Sequence, residues 1–159
     1  MLHWSQLDPL DTLYTFVDGD TGENCDLASE RLRQWCLRTL PAIVHIPVRA
    51  DWVCSFMRDG AINQARLCAL HAIYTKGVQM EPIIFCMTDN RTHTGMMVDG
   101  HHRYVVAYLE KHRSIMAHTL SRAEWHPFRV SGLPSVTEKE LVSEPAIGFR
   151  KGLPSERAK

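Results

Sequence analysis

Apolar and polar positions change period several times along this chain, and each change marks an element. Ala28, Leu32, Trp35, Cys36 and Thr39 recur at helical spacing, with Asp26 placed to cap, so a helix to about Arg38 is expected. Its other side carries Glu30, Arg31, Arg33, Gln34 and Arg38, a solvated face or an arginine-rich anion-binding one. Pro41 stops that helix. Ala42 to Val48 is rich in β-branched residues and reads as a strand, with Pro47 implying a sheet edge or a strand end. Arg49 to Gly60 shows no regular period. Ile62, Ala65, Ala69, Ala72 and Ile73 then line one side of a helix over about 61–75, and Gly77 stands at its C-terminal cap.

Pro82 to Thr88 is a continuous apolar run of strand length. A polar hairpin loop from Asp89 to Gly95 leads to a returning strand at Met96 to Val98. After Gly100 a helix is expected, with Tyr104, Ala107 and Tyr108 on one side and Val105, Val106 and Leu109 widening the apolar face. Lys111, His112 and Arg113 would fill its last turn, where cations suit the helix dipole. Ser114 to Leu120 reads as a strand, and Ser121 caps a short helix ended by Pro127. Beyond Phe128 apolar residues thin out, with one helical turn expected at Glu138 to Val142. The order of elements predicts a single mixed α/β domain over 41–127, an N-terminal extension with one helix over 1–40, and a C-terminal tail over 128–159.

Composition adds bounds. The chain has 159 residues, 45% of them hydrophobic, and a net charge of +0 with histidine neutral. A sequence-wide basic surface is excluded, so any DNA contact must be a local patch. Five cysteines without Cys-x-x-Cys spacing argue against a disulfide framework and a thiolate zinc site. No leader pattern opens the chain and no run reaches membrane-span length. A soluble, cytoplasmic protein that does not engage a membrane is expected. Asp18-Gly19-Asp20-Thr21-Gly22 lacks the terminal glutamate of a calcium loop and reads as a turn.

Chemistry concentrates at Asp99-Gly100-His101-His102-Arg103-Tyr104, where a strand ends and a helix begins. A helix start offers unpaired N–H groups and a positive dipole end, and glycine permits close approach. Three basic side chains in that first turn oppose the dipole, an arrangement an anion would relieve. Arginine suits phosphate, histidine can move a proton near neutrality, and Asp99 can hold Mg2+ or orient a histidine. The bland alternative is a solvated Asp-Gly turn. Zinc is disfavoured, because adjacent histidines diverge by about 100° on a helix and His112, His118 and His126 lack ligand spacing to them.

The segment Lys76 to Phe85, the hairpin after it, and Val98-Asp99-Gly100-His101-His102-Arg103-Tyr104 with Ala107 together resemble the ParB/sulfiredoxin superfamily. Ile43 to Val48 is similar to the strand that opens that domain. The resemblance covers roughly 43–120. It implies a small mixed sheet with flanking helices that binds ATP or another NTP with Mg2+ at this turn. The nucleotide contacts would come from Asp99, Gly100, His101, His102, Arg103, Tyr104, Lys76 and Pro82. His101, His102, Arg103 and Glu81 would be catalytic.

Members of the superfamily hydrolyse CTP while clamping DNA, repair oxidised cysteine with ATP, or phosphorylate free serine. Small stand-alone members from plasmids and phages act as ATPases or DNases. His101 stands where a sulfiredoxin needs cysteine, and Val105 where a CTP-dependent partition protein has a further basic residue. Elimination leaves NTP hydrolysis or cleavage of nucleic acid. A small-metabolite kinase using Asp51 is an alternative. A non-catalytic module that grips a partner protein is another.

Overall fold

The computed structural model describes residues 1–89 and 94–133. The expected hairpin tip, Asn90 to His93, and the expected turn at Glu138 to Val142 lie outside the described residues. The protein is mixed α/β, as its pattern predicts. Its centre is a four-stranded sheet in the order β4 (Ile43–Pro47), β7 (Ser114–Leu120), β5 (Ile83–Asp89), β6 (Thr94–Asp99). β4 and β7 are antiparallel, β7 and β5 parallel, and β5 and β6 antiparallel. The parallel pair needs a crossover, and α4 (His101–Leu109) supplies it.

Strands β5, β6 and β7 are packed on both faces. Side chains alternate along a strand, so successive residues enter different cores. Ile84, Cys86, Val98 and Leu120 pack with Phe16, Leu27, Leu32 and Trp125 on one side. Ile83, Met97, Ile115 and Ala117 pack with Val53, Leu67, Tyr104, Val105 and Val106 on the other. This two-sided burial is why Pro82 to Thr88 reads as an unbroken apolar run. The second face is covered by α2 (Ala50–Arg58), α3 (Gln64–Tyr74) and α4. The first is covered by α1 (Ser29–Thr39), α5 (Arg122–Trp125) and a hairpin of β2 (Leu13–Val17) with β3 (Asn24–Ala28).

Several expectations are corrected here. Asp26 does not cap a helix. It sits inside β3 opposite Thr15, whose Oγ1 donates to its carboxylate at 2.5 Å, and α1 starts three residues later. Arg49 to Gly60, which lacks a clear period, holds α2, whose Trp52, Val53 and Phe56 face the core. α4 ends at Leu109, so Lys111, His112 and Arg113 lie beyond it, with Lys111 in left-handed backbone at φ 61°.

The start of the expected tail is part of the fold. After a 3-10 turn at His126–Phe128, β8 (Val130–Ser131) pairs in parallel with β1 (Leu2–His3). Among the described residues, no helix is long and apolar enough to cross a membrane.

Candidate functional site

The turn from β6 into α4 is built around Gly100. Its φ of 105° lies in the region that favours glycine. A Cβ there would fall 2.4 Å from Ile83 Cγ2 and 2.7 Å from Ile83 Cβ. Close approach is therefore needed on the core side, by the β5 side chain, whatever meets the outer side.

α4 begins without help. Gly100 makes no side-chain cap, and no acid lies in the first turn. α3 is capped by Asn63 and α5 by a Ser121–Glu124 capping box. α1 and α2 lack caps but carry Glu30 and Asp51 in their first turns. Among the α-helices of the described residues, α4 alone has neither device for its N-terminal N–H groups.

Arg103 is buried, at 8% exposure, and both of its Nη atoms are engaged. One Nη donates to the carbonyls of Glu81 and Pro82 at 3.0 and 3.1 Å, and the other to Asp99 Oδ2 at 2.8 Å. The Glu81 carboxylate lies 3.2 Å away and also takes a bidentate pair of bonds from Arg33 of α1, at 2.9 and 3.0 Å. Arg33 reaches Glu30 as well. The result is a ladder of alternating charge: Glu30, Arg33, Glu81, Arg103, Asp99. Burial works to raise the pKa of Glu81, but the bonds and charges of Arg33 and Arg103 outweigh it and hold the carboxyl below its usual value. The ladder has three carboxylates to two guanidiniums, so it offers an incoming phosphate no surplus cation.

His102 is neutral near pH 7. Burial first, then the charges of Arg66 and Arg103, push its pKa down to about 4. Its Nε2 accepts the Asn63 N–H at 3.0 Å, which places the ring proton on Nδ1 and ties the start of α4 to the start of α3. The other end of the same helix pair is tied by His71 and Glu110 at 2.6 Å. The two helices thus run side by side in one direction. Lys76 follows the end of α3, where its N–H donates to the Ile73 carbonyl at 3.2 Å.

His101 lies between two rings, stacked on Tyr14 of β2 at 5.5 Å and edge-on to Phe56 of α2 at 4.8 Å. Tyr104 is fully buried, stacked against Trp52. Its hydroxyl donates to the Pro47 carbonyl at 2.7 Å and accepts the Arg49 N–H at 2.8 Å, pinning the end of β4 to α4.

The structure therefore gathers Glu81, Pro82, Asp99, Gly100, His101, His102 and Arg103, and adds Tyr14 and Arg33 from the N-terminal region. Only the arginine-rich face read on α1 hinted at Arg33. No family model, characterised protein or solved structure matches this chain.

Two ligand groups can be set against these residues. Uncapped N–H groups at a glycine turn fit a phosphate. A resident magnesium fits less well. Asp99 and Glu81 both face arginine, and the described residues contain no cluster of three or more metal-ligating side chains. Asp51 of α2 pairs with Arg49 at 2.8 Å on the surface. Two open hollows on the surface, one lined by Val48, Tyr108, Leu109, Lys111, His112 and Arg113, the other by residues including Arg31 and Phe128, do not reach the turn.

Proposed function

We propose that this chain is a nucleotide-binding protein of ParB/sulfiredoxin type that takes the phosphates of ATP or another NTP at the start of α4. The uncapped, acid-free N-terminus behind Gly100 supports this reading. An anion there gains about 0.3–1 kcal/mol from the helix dipole, and more where water is excluded. The N–H groups of the first turn would hold the phosphate, and His101 would be the side chain to contact it or move a proton. Arg103, Asp99 and Glu81 act through each other as positioning residues that keep the turn in shape. Magnesium arriving with the nucleotide would supply the charge neutralisation that the ladder lacks. Hydrolysis of a phosphoanhydride, or of a DNA phosphodiester, is the chemistry such a site would serve.

The test is thermal shift with ATP and CTP, with and without magnesium, because a ligand of the folded state raises its apparent stability. His101→Glu puts an acid into the first turn without touching the ladder. The expected result is a shift in the parent protein that is lost in the variant. No shift with either nucleotide at millimolar concentration defeats the reading.

A second reading is favoured by Tyr14 and Arg33. Both come from the first forty residues, Tyr14 stacking on His101 and Arg33 bonding Glu81, as they would in a non-catalytic module whose site is closed by its own extension. Calorimetry on Tyr14→Ala separates the two. Nucleotide binding in either protein supports the first reading, and no binding in either supports the module.

A further inference from the structure

Of the two edge strands of the central sheet, β4 is the more exposed. β6 carries the buried Met97 and Val98 and has α1 beside it. β4 pairs only with β7 among the described strands and is exposed along most of its length. Ile43 is 47% and Val44 41% exposed, on opposite faces of the strand, and the end of α1 adds Leu37 at 43% and Leu40 at 72%. Proteins blunt such edges with lysine or other charges. From Pro41 to Val48 there is no Lys, Arg, Asp or Glu.

The register shows which backbone groups are unmet. Thr119 N–H donates to the Ala42 carbonyl at 3.2 Å and Val48 N–H to the Arg113 carbonyl at 3.0 Å. By antiparallel alternation, Val44 and Ile46 bond inward to β7, while Ile43 and His45 turn N–H and C=O outward. Pro41 precedes and Pro47 ends this stretch, and neither can donate.

We propose that β4 pairs with β4 of a second copy, antiparallel, about a two-fold axis through Val44. Ile43 of each copy then faces His45 of the other, so every outward N–H meets an outward carbonyl, and Val44 meets its own counterpart. In this register alone are both the N–H and the C=O groups of Ile43 and His45 all paired, and the prolines stop the ladder at both ends. An edge without charge, on a chain of net charge +0, brings no like-charge repulsion across the axis. One short strand pairing with Leu37, Leu40, Ile43 and Val44 around it falls below the roughly 800 Å2 per partner of a standard interface. The dimer is accordingly reversible.

Sedimentation equilibrium over a wide concentration range tests this. The weight-average mass should rise from 18.2 kDa toward twice that value, and Val44→Asp should hold it at the monomer mass with circular dichroism unchanged. Ile43→Lys serves if the first variant misfolds. Hydrogen exchange on the parent protein gives an independent reading. The Ile43 and His45 amides should exchange fast when dilute and slowly when concentrated, while Val44 and Ile46 stay slow throughout. A monomer mass at every concentration overturns the proposal. So does a dimer that survives both substitutions, or Ile43 and His45 protection that does not depend on concentration.

Discussion

His102 and Arg103 are neighbours in the sequence with opposite electrostatic fates. Arg103 keeps its charge because Glu81 and Asp99 surround it; His102 gives its charge up because burial and two arginines disfavour it. The His102 pKa is below its unfolded value, so the unfolded chain takes up the proton first as pH falls. Stability from this group is intact above about pH 6.5, falls through the window down to about 4, and changes no further below it. The full loss is about 3 kcal/mol by linkage. His102→Gln can still accept the Asn63 N–H but does not titrate. Urea denaturation at pH 7 and pH 5 should show a smaller drop in the variant than in the parent; equal drops would contradict the assignment. His126 is also held below its usual value, by burial and by Arg129 and Arg122, and is common to both proteins, so the difference isolates His102. The motif told where this turn lies. It could not tell that one basic residue is neutral and another neutralised, because both facts depend on Glu81, Arg66 and burial.

Between elements, the Glu81–Arg33 contact joins the start of β5 to α1 across 48 residues of sequence. Both side chains are about one-third exposed, so solvent screens the pair, and a coupling of about 1 kcal/mol is expected. A double-mutant cycle with Arg33→Ala and Glu81→Gln measures it. Zero coupling would mean the ladder breaks at α1. Elements bounded by strong punctuation were legible: β5 behind Pro82, α4 behind Gly100, α5 between Ser121 and Pro127. The β2–β3 hairpin was not. Asp26 is as good a helix cap as it is a partner for Thr15, and only cross-strand register decides. α2 was hidden for a different reason: one nine-residue helix leaves too few apolar positions to establish a period.

At the scale of the molecule, residues 1–40 are woven into the same core as the central sheet. Phe16, Leu27 and Leu32 share one core cluster with Ile84 and Val98. Asp18, 2% exposed, is clasped by Arg122 of α5 through two bonds of 2.5 and 2.6 Å. The Arg122 hydrogen bonds hold the Asp18 carboxyl below its usual pKa against the opposing effect of burial. Arg122→Gln strands that carboxylate, and a loss of about 3 kcal/mol is expected, since a buried charge without its partner is strongly destabilising. Asp18→Asn added to it should recover part of the loss in chemical denaturation; no recovery would show that Arg122 acts through its packing on Trp125 instead.

The pairing of β1 with β8 has a consequence for the order in which the protein is made. Leu2 and His3 leave the ribosome well before their partners Val130 and Ser131, which follow more than a hundred residues later. Arg122 likewise reaches Asp18 only after more than a hundred further residues have been added. The hairpin and α1 must wait, apolar faces uncovered, until β5, β6 and α5 emerge. Contacts so distant in sequence slow folding and lengthen exposure to aggregation. A nascent chain halted before Trp125 would therefore depend on holding chaperones until Arg122 and Trp125 emerge.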